Sequence, residues 1–128
     1  MQFGYTLLYV GDVTKTVDFY ESAFGLKRKL IHESDYGEME SGATKLGFVV
    51  HELAKSNGVT YAEPRPEAPA PAMEIAFVTD DVAKAYQKAV QAGAAAVAPP
   101  KEKPWGQTVA YVRDLNGFLV ELCSPVAE

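Results

Sequence analysis

The sequence predicts an α+β fold made of two βαβββ modules, and three observations support this prediction. The order strand, helix, three strands occupies the first half of the chain and starts again in the second half. Residues 62–72 hold four of the eight prolines and almost no bulky apolar side chain, so this stretch cannot pack into a core. The two halves also align as a repeat of low identity. We therefore predict a first module at 1–61, a proline-rich linker at 62–72 and a second module at 73–128.

The first module is predicted to begin with a strand at 5–10, where β-branched and aromatic residues predominate. Asp12 can cap a helix whose apolar residues recur at helical spacing as far as Phe24, and Gly25 supplies the stop. Three short strands are predicted after this helix, at 27–32, 36–40 and 44–50.

The second module is predicted to begin with a strand at 74–78. Asp80 or Asp81 can cap the helix that follows, and Gly93 ends it. The last three predicted strands lie at 95–98, 108–113 and 118–124, with a loop at 99–106 and an Asn116-Gly117 turn between the last two.

Composition excludes several classes of function for this chain of 128 residues. A net charge of −5 argues against a nucleic-acid surface, which needs clustered Lys and Arg. No apolar run approaches the roughly 20 residues that a membrane span requires. One cysteine and two histidines exclude an intrachain disulfide and a structural zinc cluster. The first residues do not resemble a targeting signal, so we expect a cytoplasmic protein.

The repeat singles out four positions. A shift of 69 residues carries Tyr5 onto Glu74, and a shift of 74 carries Gly47 onto Glu121. If the halves pair about a pseudo-twofold axis, these four residues converge on one cavity. Glu74 and Glu121 lie in otherwise apolar strands, where an unpaired carboxylate is costly to desolvate. Their partner could be a metal, a cationic ligand or a proton shared between them, and a shared proton would make one of them a candidate base. Alternatively, one or both could lie at an exposed sheet edge, or bind Arg113 or a backbone amide.

Other candidate residues have both a functional and a structural interpretation. Trp105 could stack on a ligand at the cavity mouth or cap the core, and Tyr5 could donate a hydrogen bond or pack as an aromatic. His51 would share the strand face of Gly47 but lie too far along it to act as a ligand. Cys123 is expected to be a small buried hydrophobe, because no basic group lies nearby in sequence to activate it.

Three segments carry a resemblance to a known family: YTLLYVGDVTKTVDFYESAFGLK, EIAFVTDDVAKAYQKAVQAGA and PWGQTVAYVRDLNGFLVELCSP. They resemble the vicinal oxygen chelate superfamily, which includes glyoxalase I, bleomycin resistance proteins and extradiol dioxygenases. The resemblance implies a concave arrangement of eight strands with the helices outside. It also implies a homodimer.

The resemblance places the family's metal ligands at Tyr5, Gly47, Glu74 and Glu121. Only Glu121 matches the usual ligand type, so neither a metal nor another cofactor is expected. The chain then resembles the metal-free drug-binding members, with Gly47 leaving room for a planar or cationic molecule. The expected ligand-binding residues are Tyr5, Tyr9, Gly47, Phe48, Val49, Glu74, Trp105 and Glu121. The alternative is a glyoxalase- or dioxygenase-type enzyme that uses Glu74 and Glu121 as ligands of a divalent metal or as a catalytic base.

Overall fold

The computed structural model describes residues 1–126 and divides the chain into two compact units, Met1–Glu63 and a second unit that begins at Pro64. The first unit contains β1 (Tyr5–Val10), α1 (Val13–Phe24), β2 (Lys27–His32), β3 (Tyr36–Glu40), β4 (Lys45–Val50) and α2 (His51–Ser56). The second contains β5 (Glu74–Val78), α3 (Val82–Gln91), β6 (Ala95–Glu102), β7 (Thr108–Arg113) and β8 (Leu119–Cys123). Across residues 1–126, no helix has the length and apolar character needed to cross a membrane. The predicted α+β class with two modules is confirmed, and the eight strands form two four-stranded sheets.

The first sheet has the strand order β1-β4-β3-β2, with β1 parallel to β4 and the other pairs antiparallel. Helix α1 covers one face of it. A Cβ atom at Gly37 would lie only 2.8 Å from Val13 and 2.9 Å from Val17, so this glycine lets the helix approach the sheet closely. On the same face Tyr20 packs against Phe48, with ring centroids 4.8 Å apart, and both side chains are fully buried. The opposite face of the first sheet, which we call its open face, is therefore not covered by α1.

Local signals set the ends of both long helices. The Asp12 side chain accepts a hydrogen bond from the Lys15 amide at the start of α1, and Gly25 ends that helix in a left-handed conformation. Asp81 caps α3 in the same way, accepting from the Lys84 amide. Of the two aspartates that could have capped α3, the structure therefore selects Asp81.

The second sheet repeats the topology of the first, with the order β5-β8-β7-β6 and a parallel β5–β8 pair. Leu7 pairs with Gly47 in the first unit, and Ala76 pairs with Glu121 in the second. These two pairs are related by the same shifts of 69 and 74 that the sequence repeat indicates. The registers of the two sheets therefore agree with the repeat.

Two elements differ from their sequence prediction. His51 was expected to continue β4, but it is the first residue of the short helix α2. Strand β6 continues through Pro99 and Pro100 as far as Glu102, where the sequence predicts a loop. This is possible because β6 lies at the sheet edge and its pairing with β7 is irregular, so the missing proline N–H groups interrupt no central ladder.

The proline-rich segment is held against the second unit from Pro64 onwards. The Arg113 guanidinium donates hydrogen bonds to the backbone carbonyls of Arg65 at 3.0 Å, Pro66 at 3.0 Å and Ala68 at 2.6 Å. It also donates to the Gly117 carbonyl at 2.9 Å. A segment with few apolar side chains is thus fixed through its main chain.

Replacing Arg113 with methionine should release this segment. Methionine keeps most of the aliphatic stem but donates no hydrogen bond, so several partly buried carbonyls lose a charged donor. We expect urea unfolding to show a loss of about 1–3 kcal/mol in the free energy of unfolding. Hydrogen exchange at the Ala68 amide, which bonds the Arg65 carbonyl, should accelerate.

Arg65→Met is the matched control, because the exposed Arg65 contributes its carbonyl, and not its guanidinium, to these bonds. Equal effects of the two substitutions would contradict the role assigned to Arg113.

Candidate functional site

The open face of the second sheet carries an acidic cluster, which we define as Glu74, Tyr111, Glu121 and Cys123. Register explains how strands β5, β7 and β8 bring these residues together. Tyr111 lies directly opposite Glu121 across the β7–β8 pair, and its hydroxyl donates to Glu121 Oε1 at 2.8 Å. Glu74 lies one strand away, two residues before Ala76, the β5 partner of Glu121. The two glutamates singled out by the sequence are therefore neighbours on one face.

The two carboxyl groups of the cluster interact, although Glu74 lies exposed on the edge strand β5. Partial desolvation and a hydrogen bond with Glu121 raise the pKa of Glu74 above its ordinary value. Neither glutamate forms an ion pair with a lysine, arginine or histidine of residues 1–126. Arg113, one of the alternative partners, directs its guanidinium at backbone carbonyls. No cationic side chain in the described part of the chain therefore forms an ion pair with either carboxyl group.

The other two members of the cluster remain protonated at neutral pH. The hydrogen bond to Glu121, together with burial, raises the pKa of Tyr111 to about 12, so its hydroxyl is a lasting donor to the carboxylate. Burial, and secondarily Glu121, raises the pKa of Cys123 to about 11. Cys123 is 3% exposed, so its thiol is a buried apolar group with no nucleophilic role.

The open face of the first sheet, which carries Tyr5, Leu7, Tyr9, Tyr36, Glu38 and Gly47, has a different chemistry. A Cβ atom at Gly47 would lie 2.8 Å from Leu7 Cδ2 and 2.9 Å from the Tyr36 hydroxyl oxygen. The sequence analysis predicts that a ligand uses the space left by the missing side chain. In the structure Leu7 and Tyr36 come so close to this position that even a Cβ atom would be in steric conflict with them. Because Gly47 has no side chain, the Tyr36 hydroxyl can lie next to strand β4.

Glu38 holds the Tyr36 side chain in this position. The Tyr36 hydroxyl donates to Glu38 Oε1 at 2.9 Å, and Lys29 Nζ lies 3.3 Å from Glu38 Oε2. Burial opposes ionisation of Glu38, but the Tyr36 hydrogen bond and the Lys29 charge outweigh it and lower the pKa of this carboxyl group. Burial and the neighbouring carboxylate raise the pKa of Tyr36 to about 12. Tyr36 is therefore a neutral phenol that donates to an ionised, 5% exposed glutamate.

The remaining predicted residues have diverse positions. Tyr5 is 55% exposed, with the Lys45 ammonium 5.3 Å from its ring centroid. Tyr9 packs on Tyr61 with centroids 4.8 Å apart, and the Tyr61 hydroxyl lies 2.6 Å from His51 Nδ1.

Two of the predicted residues have little access to a ligand, and a third lies in a turn. Val49 shares the open face but is only 6% exposed. Phe48 was predicted to bind ligand, but it points to the α1 side and is fully buried against Tyr20, so it is a core residue. Trp105 lies between β6 and β7, is 62% exposed and donates its indole N–H to Gln107.

A divalent metal does not fit the residues at the positions of the family's ligands. Gly47 has no side-chain donor atom and Tyr5 offers only a phenol, so Glu74 and Glu121 are the only carboxyl groups at the four positions. No group of three or more His, Cys, Asp or Glu side chains in residues 1–126 is placed to hold a metal ion. We therefore assign no chemistry to a metal here.

Sequence reasoning missed the polar roles of Tyr36, Glu38 and Tyr111. Counting outward from a two-residue Asn116-Gly117 turn would have paired Tyr111 with Leu122, whereas the observed register is centred on Asn116 and sets Tyr111 opposite Glu121. Alternation also places Tyr36 and Glu38 on the same face of β3. No pattern in the sequence indicates that the Tyr36 side chain reaches the position left by Gly47.

Comparison with known proteins identifies the family. The model of the Glyoxalase/Bleomycin resistance protein/Dioxygenase superfamily matches residues 2–122. The chain belongs to this superfamily. A comparison of this chain with curated proteins finds no match.

Solved structures show the same fold. A glyoxalase-related enzyme from Fulvimarina pelagi has a TM-score of 0.84 and 21% identity, covering 98% of this chain and 88% of its own. A glyoxalase/bleomycin resistance protein/dioxygenase family enzyme from Burkholderia phytofirmans PsJN has a TM-score of 0.79 and 19% identity, covering 97% and 98%. TioX from Micromonospora sp. ML1 has a TM-score of 0.72 and 23% identity, with the same coverage of 97% and 98%. At these identities the likeness concerns the fold alone.

The raised pKa of Glu74 predicts a pH-dependent effect of Glu74→Gln on stability. Between the ordinary glutamate pKa and the raised one, the native state binds more protons than the unfolded state, so Glu74 destabilises the protein as pH rises through this window. Glutamine removes the effect and can donate to Glu121. Calorimetry should show a higher Tm for the variant at about pH 7 and little change at about pH 3.5, where glutamates are largely protonated in both states.

Glu67→Gln serves as the control for this comparison, because Glu67 is an exposed acidic residue of the same unit. An identical Tm change for Glu74→Gln at both pH values would contradict the raised pKa of Glu74.

Proposed function

We propose that this protein binds a small organic cation, without a metal, and acts by sequestration in the manner of bleomycin resistance proteins. The observation that carries the proposal is the Glu74–Glu121 pair on the open face of the second sheet. Two adjacent carboxyl groups with no cationic partner among residues 1–126 attract a positively charged group, which would offset the repulsion between them. Tyr111 supports the arrangement by fixing Glu121 Oε1 with its hydroxyl.

Two general properties of the chain support the same class of ligand. The net charge of −5 favours association with cations over anions. Tyr5 and Trp105 are well exposed, and exposed aromatic rings offer stacking and cation–π surface to a planar ligand. Antibiotic resistance is the biological role that this mode of binding would serve, and a homodimer is the assembly that the family resemblance implies.

Calorimetric titration with proflavine, a planar aromatic cation, tests the proposal. We expect saturable binding in the micromolar range that weakens as salt is added, because charge attraction contributes to it. Glu121→Gln should weaken the affinity about tenfold or more, which corresponds to about 1.4 kcal/mol. Fluorescence of Trp105, the one tryptophan of the chain, provides a second measurement because a bound acceptor dye should quench it.

Two controls accompany this titration. Anthracenecarboxylate has a similar planar shape and a negative charge, so it should bind far more weakly than proflavine. Glu67→Gln removes one negative charge from an exposed site and should leave the affinity nearly unchanged. Equal binding of the two probes, or equal effects of the two glutamate substitutions, would overturn the proposal.

A second candidate function is proton transfer by the Glu74–Glu121 pair. The observation that favours it is the raised pKa of Glu74, since a carboxyl group that titrates closer to neutrality is a more effective general base or acid. The two candidates differ in their products. A binding protein returns its ligand unchanged, whereas an enzyme would catalyse hydrogen exchange or isomerisation of the ligand at a rate that Glu74→Gln lowers.

We also expect the protein to lack a bound divalent metal after purification without chelator. The reason is the donor set described above, in which Gly47 has no side-chain donor and only Glu74 and Glu121 carry carboxyl groups. Elemental analysis by mass spectrometry should find less than about one tenth of an equivalent of Ni, Zn, Fe or Mn per chain. A stoichiometric metal that resists dialysis would support the metal-dependent alternative with Glu74 and Glu121 as ligands.

A further inference from the structure

We propose that Tyr36, positioned by Glu38 in the space left by Gly47, is a hydrogen-bond acceptor for an N–H group of an organic cation bound on the open face of the first sheet. The inference rests on the proposed function, because it concerns how the same class of ligand is recognised. It assigns a binding role to Tyr36 and a positioning role to Glu38. The ligands it favours are cations that carry free amino or guanidino hydrogens.

The first step of the argument is geometric. A Cβ atom at residue 47 would lie 2.9 Å from the Tyr36 hydroxyl oxygen, so Tyr36 brings its polar atom to the position of a side chain on β4. Position 47 corresponds to Glu121 in the second unit through the registers of the two sheets. The first unit thus presents a phenol oxygen where the second unit presents a carboxylate.

The second step concerns the direction of the hydroxyl hydrogen. Tyr36 donates this hydrogen to Glu38 Oε1, and the neighbouring Lys29 keeps Glu38 ionised and therefore an acceptor only. A phenol oxygen whose hydrogen is committed has only lone pairs to offer. It can accept a hydrogen bond from a ligand but has none to donate.

The third step concerns how firmly this arrangement is held. Glu38 is 5% exposed and lies on β3, directly opposite Gly47 in the β3–β4 pair. A buried carboxylate that has lost its donor is costly, so Tyr36 is strongly constrained to keep its hydrogen on Glu38. The acceptor character of Tyr36 is therefore built into the sheet.

A pair of dyes tests the inference. Proflavine and acridine orange are both planar acridinium cations, but acridine orange carries dimethylamino groups and so lacks the amino hydrogens. We expect the wild-type protein to bind proflavine about tenfold or more tightly than acridine orange in calorimetric titrations. Tyr36→Phe should reduce this preference to less than about threefold, mainly by weakening proflavine. Tyr86→Phe removes a hydroxyl from helix α3, away from the open face of the first sheet, and should leave the preference unchanged.

Each outcome decides between the two proposals. If both dyes bind equally well to the wild-type protein, or if the preference survives in Tyr36→Phe, cation binding stands and the role of Tyr36 falls. If neither dye binds, both proposals fall.

Glu38→Gln provides a readout of positioning, because a glutamine amide can donate to Tyr36 and free its hydrogen. That variant should lose the preference for proflavine while retaining binding of acridine orange.

The geometry itself is tested by stability, independently of any ligand. Gly47→Ala places a methyl group against the Tyr36 hydroxyl and should lower Tm in the wild-type background. The same substitution in Tyr36→Phe should lower Tm less, because the nearest polar contact of the new methyl group is gone. Equal losses of Tm in the two backgrounds would contradict the placement of Tyr36 beside Gly47.

Discussion

The parallel pairing of the first and last strands in each unit is the constraint on which the candidate sites depend. A parallel pair cannot be joined by a tight turn, so each unit needs a helix and two further strands between its partners. This pairing also sets the register. It places Gly47 beside Leu7 in one unit and Glu121 beside Ala76 in the other. A shift of one residue would turn each of these side chains to the helix-covered face.

The same topology supports two different polar arrangements. In the first unit a tyrosine and a glutamate lie two residues apart on one strand, and a lysine neutralises the carboxylate. In the second unit the tyrosine and the glutamate face each other across a hairpin, and a second carboxyl group replaces the lysine. The first arrangement is electrically balanced and exposes an acceptor. The second keeps an excess of negative charge, which is why we assign the attraction of a cation to it.

Much of the fold could be predicted from the sequence because its signals are local. Capping by Asp12, the stop at Gly25 and the alternation along the strands each depend on a few neighbouring residues. The helix α2 and the continuation of β6 through Pro99 were missed because they depend on tertiary context: α2 follows directly from a strand, and β6 tolerates proline only because it is an edge. The repeat predicted that Glu74 and Glu121 are equivalent to Tyr5 and Gly47. It could not predict that Tyr36 crosses toward Gly47, since that depends on a rotamer and on buried Glu38.

The attachment of the proline-rich segment has a consequence for how this region can change. Arg113 binds the carbonyl oxygens of residues 65, 66 and 68, and every amino acid has a carbonyl oxygen. Side-chain identity at those three positions is therefore nearly irrelevant to the attachment, so they can diverge freely among descendants of this protein. Gly117 has no such freedom, because a Cβ atom there would lie 2.7 Å from the Arg65 carbonyl oxygen. The side-chain requirements of this attachment thus fall on Arg113 and Gly117, which lie far from the segment in the chain.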